Sequence, residues 1–374
     1  MLETPNTSVA PQQMHRAFLA LIADTYRQAR ASAVLWIMLA VTLVGFLLCL
    51  SVSVEGFLTL GPKEEANEFL PPGVEAFRLP GDQIKDNLAF LGGSGSMFAA
   101  LGQNYLRDLV FRSEAKRTGV IPAQGKLYLG FGMIEVTRSR QASDAVRFLQ
   151  VLLASTMCGM VGMVLAIIWT AGFLPTFLEP SAAAVLLVKP LPRWLLIVGK
   201  YIGVVAFVGV QVFLFVLLTW LALGWRTGVW DLQYLMTIPV MTIQFAIFYS
   251  FSVMLAVVTR NTVACAFGTL LFFAACIVMN TARHSLVLHV GEPGYLTTMP
   301  MMVEAGYWFL PKPVDLVILL SSTLDASNYF QQMFEYHALQ ERGAFQPMMS
   351  LAASCLFMIG SVWIGAVQFN EIDY

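Results

Sequence analysis

The sequence predicts an all-α polytopic membrane protein with six transmembrane helices, and three observations carry that prediction. Of 374 residues, 57% are hydrophobic and only 12% charged, with a mean hydropathy of +0.70. A soluble domain carries roughly 25% charged residues. Apolar runs near or above ~18 residues recur without a charge, and each is long enough to cross ~30 Å of hydrocarbon as a helix. The remaining charges fall almost entirely in the linkers between those runs. A net charge of -1 without a basic stripe gives no footing for nucleic acid.

Residues 1–32 form the N-terminal segment. Within it, Met14, Phe18, Leu21, Ile22, Tyr26 and Ala29 share one helical face, while Arg16, Asp24, Arg27, Gln28 and Arg30 lie opposite. That pattern predicts an elbow helix lying in the membrane interface. The first span follows at 33–54, and its length favours a retained span over a cleaved signal peptide. Further spans are expected at 148–174, 197–224, 235–258, 262–282 and 347–368. Residues 147–282 therefore hold spans two to five, and 347–374 hold the sixth with a short tail.

Orientation follows from the basic residues. Arg16, Arg27 and Arg30 precede span one, Lys189, Arg193 and Lys200 lie between spans two and three, and Arg260 sits between spans four and five. All seven share one side if the N-terminus is inside. The positive-inside rule then places both termini in the cytoplasm of a bacterial inner membrane. Two large segments face outward. Residues 55–146 carry 10 basic and 11 acidic residues of mixed sign, which reads as a folded, solvated mixed α/β insert. Lys126–Val136 has strand-like composition, and 88–109 has helical composition broken at Gly92–Gly95. In 283–346, the runs 307–310 and 316–320 are too short to span and flank Pro311 and Pro313. They predict re-entrant or interfacial helices with Tyr307 and Trp308 at headgroup depth.

The chemistry is defined first by what is missing. No span carries an ionisable residue at its middle, which argues against an ion-coupled carrier, a proton pump or a voltage sensor. Polar residues inside the spans read first as interhelical hydrogen-bonding groups. Gln211, Gln244 and Asn280 are the candidates for lining a pathway. Gly125-Lys126 and Gly199-Lys200 do not complete a phosphate-binding loop. Any ATP and magnesium must therefore bind a partner chain, and no cofactor or metal is expected in this one. Ser94 and Ser96 lack a nucleophile elbow, so the chain is not expected to be an enzyme. All five cysteines lie in apolar runs without metal-ligand spacing.

The linker between spans two and three is longer than a turn requires. From about 176 to 190 it combines Glu179, Pro180 and Ser181, a helix-compatible run through Ala183 and Leu187, and then Lys189, Pro190, Pro192 and Arg193. Proline in a first turn and an acid at the positive helix end both favour a helix here, and Pro190 ends it. Lys200 follows at the mouth of span three.

The order Glu179-Pro180-Ser181, Leu186-Leu187, Lys189-Pro190-x-x-Arg193 and Gly199-Lys200 resembles the coupling-helix signature of type-2 ABC exporter permeases. The resemblance covers about 14–54 and 147–370. Ala182-Ala183-Ala184 stands where that family has Gly-Thr, and 55–146 is longer than its outer loop. The resemblance implies an exporter permease that pairs with a second copy or a sister permease and docks two ATPase subunits; a pathway without fixed charges suits lipidic, glycolipidic or amphipathic cargo better than a small ion. Membrane lipids and an outer accessory protein are further partners. The implied ATPase-coupling residues are Glu179, Ser181, Ala183, Leu187, Lys189, Pro190, Arg193 and Lys200. The alternative reading is a non-transporting mechanotransmission or scaffold subunit, in which a partner ATPase works the outer insert for envelope assembly or motility.

Overall fold

The computed structural model describes residues 11–31, 33–55, 125–129, 134–139, 142–178, 192–289, 299–324 and 346–371. The chain divides into two compact units, one of residues 1–50, 148–224 and 230–374, the other of residues 51–147 and 225–229.

The larger unit is helical. Helix α1 (Pro11–Ala31) is followed by α2 (Ala33–Leu50), and their apolar stretches meet at a 77° bend. Thr25 and Ala29, four residues apart, form the buried stripe of α1, while Asp24, Arg27 and Arg30 are exposed. On α2, Met38, Thr42, Gly45 and Cys49 repeat at helical spacing and are buried; Trp36, Leu43 and Leu47 on the other faces are exposed. One narrow packed stripe on an otherwise apolar, exposed helix fits a span that meets hydrocarbon on most sides.

Helix α3 (Ala142–Leu152) widens into a π-helical stretch, Leu153–Val161, and tightens again into α4 (Gly162–Thr170) and α5 (Phe173–Phe177). Ser155 lies in the wide stretch, and its hydroxyl donates back to the Val151 carbonyl at 2.7 Å, a bond that competes with the regular ladder. The remaining helices are α6 (Arg193–Thr227), α7 (Thr237–Thr259) after a 3₁₀ turn, α8 (Thr262–His289), α9 (Met299–Phe309), α10 (Pro313–Thr323) and α11 (Pro347–Glu371). Five helical stretches are long and apolar enough to cross a membrane: Leu149–Phe177, Arg193–Thr227, Leu232–Thr259, Thr262–Val287 and Pro347–Glu371. The bent pair of α1 and α2 adds a sixth only when the pair is counted as one span.

Packing in this unit depends on small residues and aromatic stacks. A Cβ on Gly45 would sit 2.7 Å from the Phe215 ring, so glycine lets α2 approach α6. Phe245, Tyr249 and Tyr201 form a stacked column, with centroids 5.3 and 6.0 Å apart, between α7 and α6. Between α7 and α8 the chain turns in two residues. Arg260 adopts a left-handed conformation, φ 49°, and Asn261 Oδ1 accepts the amides of Val263 and Ala264 to start α8. Thr262 approaches Gly172, so this turn shares an end of the bundle with the start of α5. At the other end of α6, Trp230 lies flat on Gly224, and Trp220 Nε1 donates to the Asp231 carbonyl at 2.9 Å.

Two expectations are corrected here. Helix α8 does not stop at 282 but runs to His289, carrying Arg283 and His284 into protein interior. Tyr307, expected at headgroup depth, is 2% exposed and hydrogen-bonded inside the unit, so it faces protein rather than lipid. Both have one cause: α9 and α10, each 11 residues and too short to span, pack back onto α8 and α11 and supply polar partners at that end.

The smaller unit contains a three-stranded antiparallel sheet, β1 (Ser53–Glu55), β2 (Gly125–Leu129) and β3 (Ile134–Ser139), in that order. Glu55 pairs with Lys126 and Ser53 with Tyr128, and a bulge between Leu127 and Tyr128 leaves Val136 unpaired on β3. The strand-like stretch at 126–136 is thus two strands. In the same unit Arg226 Nε donates to the Val52 carbonyl at 3.2 Å. The 88–109 stretch and its glycine run lie outside the described residues.

Candidate functional site

The linker between spans two and three leaves α5 and rejoins at α6, and the structure describes both of its roots. Glu179, Ser181, Ala183, Leu187, Lys189 and Pro190 lie outside the described residues. Arg193 is the first residue of α6, and its Nη1 donates to the Asn370 carbonyl of α11 at 3.4 Å.

Lys200 lies two turns further along α6. It is 1% exposed. Its ammonium donates to Gln28 Oε1 at 2.7 Å and to Asp24 Oδ2 at 3.2 Å, and it lies 5.1 Å from the Phe177 ring centroid. Gln28 Nε2 donates in turn to Thr176 Oγ1 at 2.7 Å. One lysine therefore ties the end of α5, the start of α6 and the flank of α1 into a single polar knot. The knot exists because α1 comes close to α6 at Gly203, where a Cβ would lie 2.7 Å from Thr25 Oγ1 and 3.6 Å from the Ile22 backbone. Sequence reading put Lys200 among residues that face a partner; the structure turns its charge inward, against α1.

The three pathway candidates are all buried. Gln211 Nε2 donates to the Met38 carbonyl at 2.9 Å and to Thr42 Oγ1 at 2.7 Å, tying α6 to α2 beside a small apolar groove of about 100 Å³. Gln244 and Asn280 are each 1% exposed. Among the described residues, Gln244 Oε1 and both amide atoms of Asn280 lack a hydrogen-bond partner.

A second polar centre was missed by sequence reading. Asp315, at the start of α10, is 1% exposed. Its Oδ1 lies 3.0 Å from His284 Nε2, and its Oδ2 accepts from the Tyr307 hydroxyl and from Ser350 Oγ at 2.6 Å. Ser354 Oγ accepts the Lys312 amide at 3.2 Å. Arg283 Nε donates to Glu304 at 3.3 Å, and the Arg283 and Lys312 cations lie 4.5 and 4.8 Å from the Tyr307 ring centroid. Burial alone would push the Asp315 carboxyl up; hydrogen bonds from His284, Ser350 and Tyr307, with the His284 charge, outweigh it and hold the carboxyl below its ordinary value. Burial, reinforced by Asp315, raises the Tyr307 hydroxyl. Burial lowers the Lys312 ammonium, with Asp315 opposing. The centre fastens α8, α9, α10 and α11 together. Its signal in the sequence was Pro311-Lys312-Pro313-Val314-Asp315, two opposite charges beside an apolar run too short to reach water on the far side.

No protein-family model matches the chain, and no curated protein matches it.

Proposed function

We propose that the chain is the membrane-spanning permease subunit of an ATP-driven exporter. A separate ATPase works it through a helix formed by residues about 176–190. The observation that supports this reading most directly is the knot at Lys200. A lever transmits motion only from a stiff base, and here both roots of the linker are tied to α1 through Gln28 and Asp24, while Arg193 ties the α6 root to α11. In this reading α1 is an interfacial elbow, and 55–146 is an extracytoplasmic α/β insert that opens and closes with the sheet β1–β3. Arg27, Arg30, Arg193, Lys200 and Arg260 gather at one end of the bundle, which supports a cytoplasmic side there with both termini inside. ATP and magnesium bind the partner ATPase, two copies of which serve a pair of permeases. The spans then move as rigid bodies between two packings. Cargo is lipidic or amphipathic, in keeping with spans that carry no ionisable residue at their middle.

A second reading keeps the lever and drops the transport: the ATPase works the outer insert. The concentration of almost half of the chain's charges in 55–146 favours it.

The experiment is co-purification of the full chain with its ATPase, followed by Ala183→Pro and Leu187→Glu. Both variants should insert normally and lose permease-stimulated hydrolysis. Stimulation that survives both changes, or a chain that never recruits a nucleotide hydrolase, removes the proposal. Lipid export in reconstituted vesicles separates the two readings.

A further inference from the structure

A groove of about 540 Å³ runs between the first turns of α6 and the last turns of α11. Trp194, Val198 and Tyr201 wall one side, and Val362, Trp363 and Ala366 the other. The Tyr201 hydroxyl donates to the Ala246 carbonyl at 2.9 Å, so it is engaged within the protein. Polarity is confined to one end, where Asn370 lines the groove and Arg193 Nη1 meets the Asn370 carbonyl.

Dimensions identify the occupant. From Met358 to Asn370 the groove follows α11 for about 18 Å at ~1.5 Å per residue. That is close to the depth of one leaflet, half of ~30 Å. Spread along that length, a volume of about 540 Å³ makes an elongated apolar slot that an extended acyl chain can follow. Both walls belong to helices long and apolar enough to cross a membrane. Trp194, 45% exposed and adjacent to Arg193 in sequence, is of the type that settles at headgroup level. An arginine at the mouth matches a phosphate, which its planar fork of donors recognises better than a neutral headgroup.

We infer that this groove binds an anionic glycerophospholipid, with one acyl chain along the α6–α11 cleft and the phosphate at Arg193. The inference needs only that α6 and α11 cross a bilayer; it does not depend on export or on an ATPase.

The test uses the full chain reconstituted in nanodiscs of equal phosphatidylglycerol and phosphatidylcholine, released into mild detergent and weighed intact by native mass spectrometry. The wild type should retain phosphatidylglycerol over phosphatidylcholine by at least about fivefold. Arg193→Gln should bring that ratio near one. Ala366→Trp, which fills the cleft, should lose the retained lipid, and Val198→Phe should do the same from the opposite wall. If neither groove variant can be purified, the Arg193→Gln ratio decides. A wild-type ratio near one, an Arg193→Gln ratio equal to wild type, or lipid retention unchanged in the groove variants overturns the inference. Loss of a dimer in Ala366→Trp without loss of lipid overturns it too, and assigns the cleft to a second copy.

Discussion

Lys200 donates to Gln28, 172 positions away in sequence, at 2.7 Å, from a side chain that water barely reaches. Asp24, its charged partner, is 58% exposed. The pair is therefore lopsided: the cation depends on the anion far more than the reverse.

That asymmetry predicts unequal effects of removing each partner. Asp24→Asn leaves a buried ammonium without its counter-charge and should cost about 1–3 kcal/mol. Lys200→Met keeps the volume and removes the desolvated charge, and should cost under ~1 kcal/mol or stabilise. Thermal unfolding of the two variants in one detergent checks the order. A larger loss for Lys200→Met would contradict it.

Gly203 makes the approach of α1 possible. Gly203→Ala places a methyl 2.7 Å from Thr25 Oγ1, and overpacking of this kind costs typically ~1–3 kcal/mol. Hydrogen exchange should rise over α1 while α7 and α11 stay protected. Thr25→Ala combined with Gly203→Ala should recover part of the loss. Two independent, additive penalties would show that the contact is not the cause.

Asp315 sets a pH dependence with a definite sign. Its carboxyl is held below its ordinary value, so the stability it contributes is complete above the usual carboxylate range near pH ~4 and is lost as pH falls through the folded-state value. The wild type should show a steeper fall in apparent Tm below about pH 4 than Asp315→Asn, while at pH 7 the variant should be less stable by about 2–4 kcal/mol. Parallel acid limbs would refute this.

Arg260 closes α7 in a left-handed conformation that suits glycine. Arg260→Gly should therefore raise stability by up to about 1 kcal/mol, read as Tm. A decrease would mean that contacts of the guanidinium outweigh the backbone strain.

Asn280 separates idle burial from a working pathway. Neither of its amide atoms finds a partner among the described residues, so Asn280→Leu should be neutral or stabilising. Activity lost in a variant of undiminished Tm would place Asn280 on the path of the cargo.

The helices were legible because hydrophobic run length is a one-dimensional property. Six apolar runs separated by charged linkers leave little freedom, and the α1 face from Met14 to Ala29 shows its period directly. The polar knots were not legible. Lys200 reads as a headgroup cation until α1 is known to cross α6 at Gly203, a contact that no local pattern encodes. Asp315 and His284 are separated by a stretch that reads as two unrelated interfacial fragments, and only the folding back of α9 and α10 makes them partners. The widened turn at Leu153–Val161 is a departure from helical winding that apolar composition does not reveal.

The sheet has a practical corollary for residues 56–124. Glu55 and Lys126 face each other across one ladder step, a separation of ~5 Å that hairpin loops of about two to five residues close routinely. A clipped variant with Glu55 linked to Gly125 through Asn-Gly, or a version carrying a foreign domain at the same junction, should therefore enter the membrane and keep its helical scaffold. Loss of helical content in the clipped variant would show instead that the spans lean on what lies between Glu55 and Gly125.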